Sequence, residues 1–190
     1  MTSAVETAAL AKAAVREGKK LLARTMNTEE WRMAGHIEVD TTDEEGRWLV
    51  STPPDDPLRL VHLPTGRKLV VPFCSMVSDF ASVPEAIQWI AKQSTLFHMR
   101  PRDYEYSAYL HDQLYCAGWC YAVHKGHAVR VPVTKRQADA MLFIALECEG
   151  ATLADGLAYH SAVSCFGGRA WRKCRAATPE WPPLFGKAEK

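Results

Sequence analysis

The chain has 190 residues, 47% hydrophobic and 24% charged, with 23 Lys plus Arg against 22 Asp plus Glu for a formal net charge of +1. This is an ordinary soluble globular composition, long enough to bury roughly two thirds of its unfolded surface around one core. The near-zero charge excludes a general nucleic-acid binder, and no run of roughly 18 apolar residues exists to span a bilayer, so function is expected from a local site.

Residues 3 to about 25 read as a helix, because Ala4, Ala8, Ala11, Val15, Gly18 and Leu22 recur at three-and-four spacing. That narrow seam of small side chains suits either packing on the chain's own domain or docking on a partner. The same segment is charged at Glu6, Lys12, Arg16 and Glu17 and lacks the apolar stretch of a secretory signal. Synthesis in a cytoplasm is the expectation.

From Trp31 to Pro72 the texture changes to short β-like runs, His36 to Val39, Trp48 to Ser51, Leu58 to His62 and Lys68 to Val71. Turn material separates them, including Pro53-Pro54-Asp55-Asp56-Pro57 and Pro64-Thr65-Gly66. An antiparallel meander is predicted. Seven acidic residues against one Arg between 37 and 57 read as a solvated loop face.

After Pro72 the pattern reads as helical to the end. Pro84 introduces one helix, and Asp103 is the expected N-cap of a second running through Tyr115. Thr134 caps a third that ends at Gly150, and Thr152 a fourth that ends near Gly167-Gly168. The aromatic and basic stretch 117–133 reads as a long connection. The fold class is therefore α+β: an N-terminal helical arm (1–30), a single domain (31–175) with a small antiparallel sheet and a C-terminal helical half, and an irregular tail (176–190).

Of the six cysteines, none is needed as a staple at this length, and all are expected to be reduced. Cys116 and Cys120 are spaced CxxxC, but no second pair completes a zinc-finger pattern. Cys148 reads as a small buried hydrophobe.

Three ionisable clusters stand in apolar context: Asp79 in Ser78-Asp79-Phe80-Ala81-Ser82-Val83-Pro84, the pair His111-Asp112 inside a helix, and Asp139 preceding the apolar run Ala140 to Leu146. Residues 104, 107, 108, 111, 114 and 115 share a helix face, which sets His111 on a Tyr, Ala and Leu stripe. It is either a satisfied core residue or a base. If the helices carrying His111 and Asp139 pack antiparallel, Asp139 can accept from one imidazole nitrogen and leave the other available, the base-plus-orienter half of a hydrolytic site. Asp112, with carbonyls or Asp79, could hold Ca²⁺ or another hard divalent ion, Mg²⁺ and Zn²⁺ being alternatives. Against these stand plainer readings, with Asp79 a helix cap, Lys135 or Arg136 a surface ion pair, and Asp139 the counter-charge of a basic side chain in the core.

The order DFASVP, then HDxLY, then a basic residue followed by xAD, then a Tyr-rich helix ending in FGGRAW, resembles the domain-of-unknown-function family DUF1353, found largely in tailed bacteriophages and prophages. The matching positions are Asp79, Ala81 to Pro84, His111, Asp112, Leu114, Tyr115, Arg136, Ala138, Asp139, Tyr159, Phe166, Gly167 and Trp171. They span about residues 65 to 173, and Ser78 stands where the family more often has Thr. The resemblance implies a phage setting without a settled activity. A more distant likeness is to secreted phospholipases A2, whose HDxCY helix carries a water-activating His and a Ca²⁺-binding Asp; His111, Asp112, Tyr115 and Asp139 would take those parts, without the calcium loop or the disulfides. The HD phosphohydrolase pattern, with His98, His111, Asp112 and Asp139, ranks lower because the preceding strands do not suit an all-helical domain.

Two functions follow as expectations. One is a phage-encoded hydrolase of a host-envelope ester or amide, with His111 as base, Asp139 as orienter, Tyr115 beside them, and Asp112 with Asp79 at a metal. The other is a tail-associated virion component in which the same cluster is a structural network and the N-terminal helix and C-terminal tail grip neighbouring virion proteins. In either case the protein is made in the host cytoplasm, and in the second it enters the virion.

Overall fold

The computed structural model describes Arg16 and residues 30–42, 48–53, 55–72, 76–78, 104–124 and 127–176. The expected N-terminal arm (apart from Arg16 and Glu30), the C-terminal tail beyond Ala176, Asp79, Pro84 and His98 lie outside the described residues. Eight strands are described: β1 Trp31–Ala34, β2 Glu38–Thr42, β3 Trp48–Ser51, β4 Arg59–His62, β5 Arg67–Val70, β6 Met76–Ser78, β7 Trp119–His124 and β8 His127–Pro132. Four helices accompany them: α1 Glu105–Ala117, α2 Lys135–Cys148, α3 Leu153–Phe166 and α4 Gly168–Ala176. The architecture is α+β, with a five-stranded antiparallel sheet ordered β1-β4-β5-β7-β8 and a three-stranded one ordered β2-β3-β6. Among the described residues no helix is long and apolar enough to cross a membrane.

The larger sheet is held to the helices by one row of side chains. Register places Met33 opposite Leu60, Leu60 opposite Leu69, Leu69 opposite Ala122 and Ala122 opposite Val129, so the row crosses all five strands on one face. It packs with Leu110 and Leu114 of α1 and Met141 and Ile144 of α2. Each fully buried Leu or Ile there contributes roughly 1.5–3 kcal/mol relative to exposure. The opposite face carries a smaller cluster of Val70 and Tyr121 with Trp119, Val123 and Ala128, and Arg130 lies over the Trp119 ring at 4.4 Å.

Several sequence expectations change here. The stretch 117–133 is not a connection but the end of α1 followed by the β7–β8 hairpin, which pairs β7 with β5 and completes the sheet. Trp119 and Tyr121 lie on one strand face in the second cluster, with Arg130 opposite Tyr121, while Cys120 and Ala122 enter the main core. The helical half therefore does not begin at Pro72, since β6, β7 and β8 follow it. Trp31–Ala34 is an additional strand, and the run expected at 36–39 forms at Glu38–Thr42 instead.

Helix boundaries follow their caps where the cap is local. Thr134 accepts from Gln137 N, and the Gln137 side chain accepts from Thr134 N at 2.9 Å, a capping box that starts α2. Thr152 likewise accepts from Asp155 N at 3.1 Å to start α3. Asp103, the expected cap of α1, lies outside the described residues; the N-cap position of α1 is Tyr104, with no side-chain cap of its own. Glu149, just beyond α2, does that task from across the helix pair, accepting from Tyr106 N at 3.2 Å, Ser107 N at 2.8 Å and the Ser107 hydroxyl. Glu149→Ala is expected to lower stability by about 1–2 kcal/mol, seen as a lower urea midpoint at unchanged slope. A midpoint equal to wild type would show that water caps α1 equally well.

The bond from Glu149 to Ser107 at one end, and from Asp139 to Tyr115 at the other, sets α1 and α2 antiparallel. The fourth expected helix does end at Phe166, but the chain turns at Gly167 into a further helix, α4. Cys148 is exposed as the last residue of α2, its thiol donating to Trp31 O at 3.7 Å, and is not the buried hydrophobe expected.

Candidate functional site

Asp139 lies one turn into α2, 2% exposed, with its carboxylate turned toward α1 and α3. A buried charge of this kind requires donors. Tyr115 donates its hydroxyl to Oδ1 at 2.6 Å, and His111 Nε2 lies 3.4 Å from the same oxygen. Lys135 Nζ donates to Oδ2 at 2.7 Å, with Ser164 Oγ at 3.5 Å. Lys135 also donates to Val163 O at 2.6 Å, so one ammonium ties the carboxylate to the last turn of α3, where positive charge complements the helix dipole.

The rings around this carboxylate are closely stacked. His111 and Tyr115 have centroids 3.9 Å apart, and Trp171 of α4 meets Tyr115 edge-on at 5.1 Å and 86°. Gly167 makes the arrangement possible, since a Cβ there would stand 2.5 Å from the Tyr115 hydroxyl. The glycine and tryptophan of the FGGRAW segment thus serve the same cluster as the HDxLY helix.

Asp112 occupies the neighbouring, half-buried side of α1, and its Oδ1 is 3.9 Å from His111 Nδ1. The two nitrogens of His111 therefore face different carboxylates. Burial alone would draw the His111 pKa down, but hydrogen bonding and charge from Asp112 and Asp139 outweigh it and hold it above 6.5. Burial would raise Asp139, yet donors from His111, Lys135 and Tyr115 bring it down to about 2. Burial and the Asp139 carboxylate push the Tyr115 phenol upward, so it remains a donor.

The sequence expectation that His111 and Asp139 meet across antiparallel helices matches this geometry, and Tyr115 joins them. Asp79 lies outside the described residues. Among the described residues no group of three His, Cys, Asp or Glu side chains is placed to hold a metal ion. A Ca²⁺ site takes about six to eight oxygen ligands, and Asp112 with its described neighbours does not make up such a set. The arrangement around His111 suits proton transfer at the imidazole.

Three participants were not singled out from sequence. Lys135 had been weighed only as a surface ion, although its spacing of four from Asp139 on a helix is the local signal for that pair. Ser164, which reaches Asp139 from α3, and Glu149, which caps α1 at the far end of the helix pair and stands outside the cluster, carry no local signal, because their partners lie on other helices. No protein-family model, curated protein or solved structure matches the chain.

Proposed function

We propose that the α1–α2 cluster is the hydrolytic site of a phage- or prophage-encoded protein related to DUF1353, acting on an ester or amide of the host envelope. The observation that carries this reading is the His111 imidazole, held by Asp139 at Nε2 while Nδ1 faces the half-buried side of α1. With Nε2–H donating to Asp139, Nδ1 has the lone pair to take a proton from a water that attacks the substrate carbonyl. The imidazolium formed is stabilised by Asp139 and returns the proton to the leaving alkoxide or amine. Tyr115 and Lys135 keep the carboxylate in place and are positioning residues.

A base must be neutral before it acts. Since His111 is held above 6.5, activity is expected to climb as pH rises through that elevated value, not to plateau at mildly acidic pH. His111→Gln, assayed on phospholipid vesicles and on purified peptidoglycan, is expected to lose about a hundredfold or more in rate while the circular dichroism spectrum is retained. Equal rates in the two proteins would remove His111 from the reaction. The divalent ion implied by the sequence, Ca²⁺ before Mg²⁺ or Zn²⁺, is tested by titration calorimetry, where binding that disappears in Asp112→Asn would place it on α1.

A second reading rests on how fully Asp139 is occupied, with two donors at each carboxylate oxygen. A network that complete suits a non-catalytic, tail-associated virion component whose arm and tail contact neighbouring subunits. Mass spectrometry of purified virions separates the two: stoichiometric presence together with an inactive purified protein supports the structural role, and absence from the virion removes it.

A further inference from the structure

The seam between α1 and α4 carries a second pair of reactive groups that the hydrolytic reading does not use. Tyr115 and Trp171 set the register of the two helices by their edge contact. The next positions along that seam are Cys116, directly after Tyr115, and Cys174, three residues beyond Trp171 and on the same side of α4. Their thiols hydrogen-bond to each other, and both are half-buried.

We propose that Cys116 and Cys174 are a reversible thiol–disulfide modification site, with a hydroperoxide as the oxidant and Cys174 as the sulfur that reacts first. In the first step the Cys174 thiolate attacks the peroxide oxygen, the O–O bond breaks, and hydroxide (or alkoxide) leaves Cys174 as a sulfenic acid. In the second, the Cys116 sulfur attacks the Cys174 sulfur, the S–O bond breaks, and water leaves with the Cys116 proton. The two thiols lose two electrons and the peroxide gains them.

The assignment of the attacking sulfur has a physical basis. The Cys116 hydrogen bond lowers the Cys174 thiol to about 7 with help from Lys173 and His111, against burial and the Asp112 charge. Other cysteines differ. Cys120 is fully buried and pushed up to about 12, and Cys148, exposed as a residue, is raised by partial desolvation of its thiol together with the charges of Glu147 and Glu149. The resulting bridge would pin α4 to the helix that carries His111 and Tyr115, whether or not that site hydrolyses a substrate.

The test uses the full-length protein, reduced and then exposed to equimolar hydrogen peroxide, with peptide mapping by mass spectrometry. The expected product is a single link between the Cys116 and Cys174 peptides that dithiothreitol reverses. In Cys116→Ser the reaction should stop at the sulfenic acid, so dimedone labelling of Cys174 rises about tenfold over wild type. Iodoacetamide labelling of Cys174 should show a pH midpoint at about 7. A map without this link, a link joining other cysteines in its place, or sulfenic acid accumulating at Cys116 in Cys174→Ser as readily as at Cys174 in the converse variant would overturn the proposal.

Discussion

Asp139→Ala is expected to lose about 3–5 kcal/mol of stability, a fall of roughly 10 °C in melting temperature for a chain of this size. The carboxylate is 2% exposed and receives Tyr115, Lys135, His111 and Ser164. Removing it leaves the buried Tyr115 hydroxyl without its acceptor and the Lys135 ammonium, 22% exposed, with only the carbonyls of α3, and the lost partner of a partly buried charge dominates the cost. The paired replacement Lys135→Met with Asp139→Leu removes both charges and is expected to recover part of the loss. Thermal melts of the three proteins decide this, and a single-variant loss below about 1 kcal/mol would mean that the network is solvated and worth little.

The pH dependence of the same group has a definite sign. Asp139 goes from 3.8 when unperturbed to about 2 in the fold, so its contribution is present above 3.8 and is lost as pH falls through about 2. The difference in stability between wild type and Asp139→Asn should therefore narrow across that acid window. His111 works in the opposite direction. Its pKa is raised above 6.5, so its contribution is complete below that value and declines as pH rises through the elevated one.

Gly35→Ala is expected to cost about 3 kcal/mol or more, with a purely steric and conformational cause. Gly35 stands where the chain leaves β1 for β2 in the other sheet, at φ +103°, and an added Cβ would lie 2.4 Å from Pro57 O and 2.7 Å from Leu58 Cα. Both are backbone atoms, so relief requires displacing the segment that enters β4 and, with it, the β1–β4 register. Gly66→Ala is the matched control. It too has a positive φ, +62°, but open space around it, and only the left-handed backbone term of about 1–2 kcal/mol is expected. Comparable urea midpoints for the two variants would show that the Gly35 segment yields easily.

The elements that could be read from the chain are those whose signals act over a few residues. Thr134 with Gln137, and Thr152 with Asp155, close their hydrogen bonds within three residues, so the starts of α2 and α3 are visible in sequence. Lys135 and Asp139 are four apart on one helix and equally visible. The start of α1 is not legible in the same way, because its first N–H groups are taken by Glu149, 42 residues from Ser107. The β7–β8 hairpin was hidden by its aromatic residues Trp119 and Tyr121, whose burial depends on Val70 and β5 being alongside.

The site divides in the same way. Local chemistry in the chain already names His111, Asp112 and Asp139, with Tyr115 added by the resemblance of its HDxLY segment, and the apolar run after Asp139 already implies that its carboxylate needs partners. Which partners it takes is a matter of the packed molecule. Gly167 and Trp171 come to Tyr115, Ser164 to Asp139 and Cys174 to Cys116 only once α3 and α4 fold against α1 and α2. Contacts between residues distant in sequence have no local signal, because they form when burial of the common apolar row brings the elements together, and the polar atoms then pair with whatever donors lie within reach.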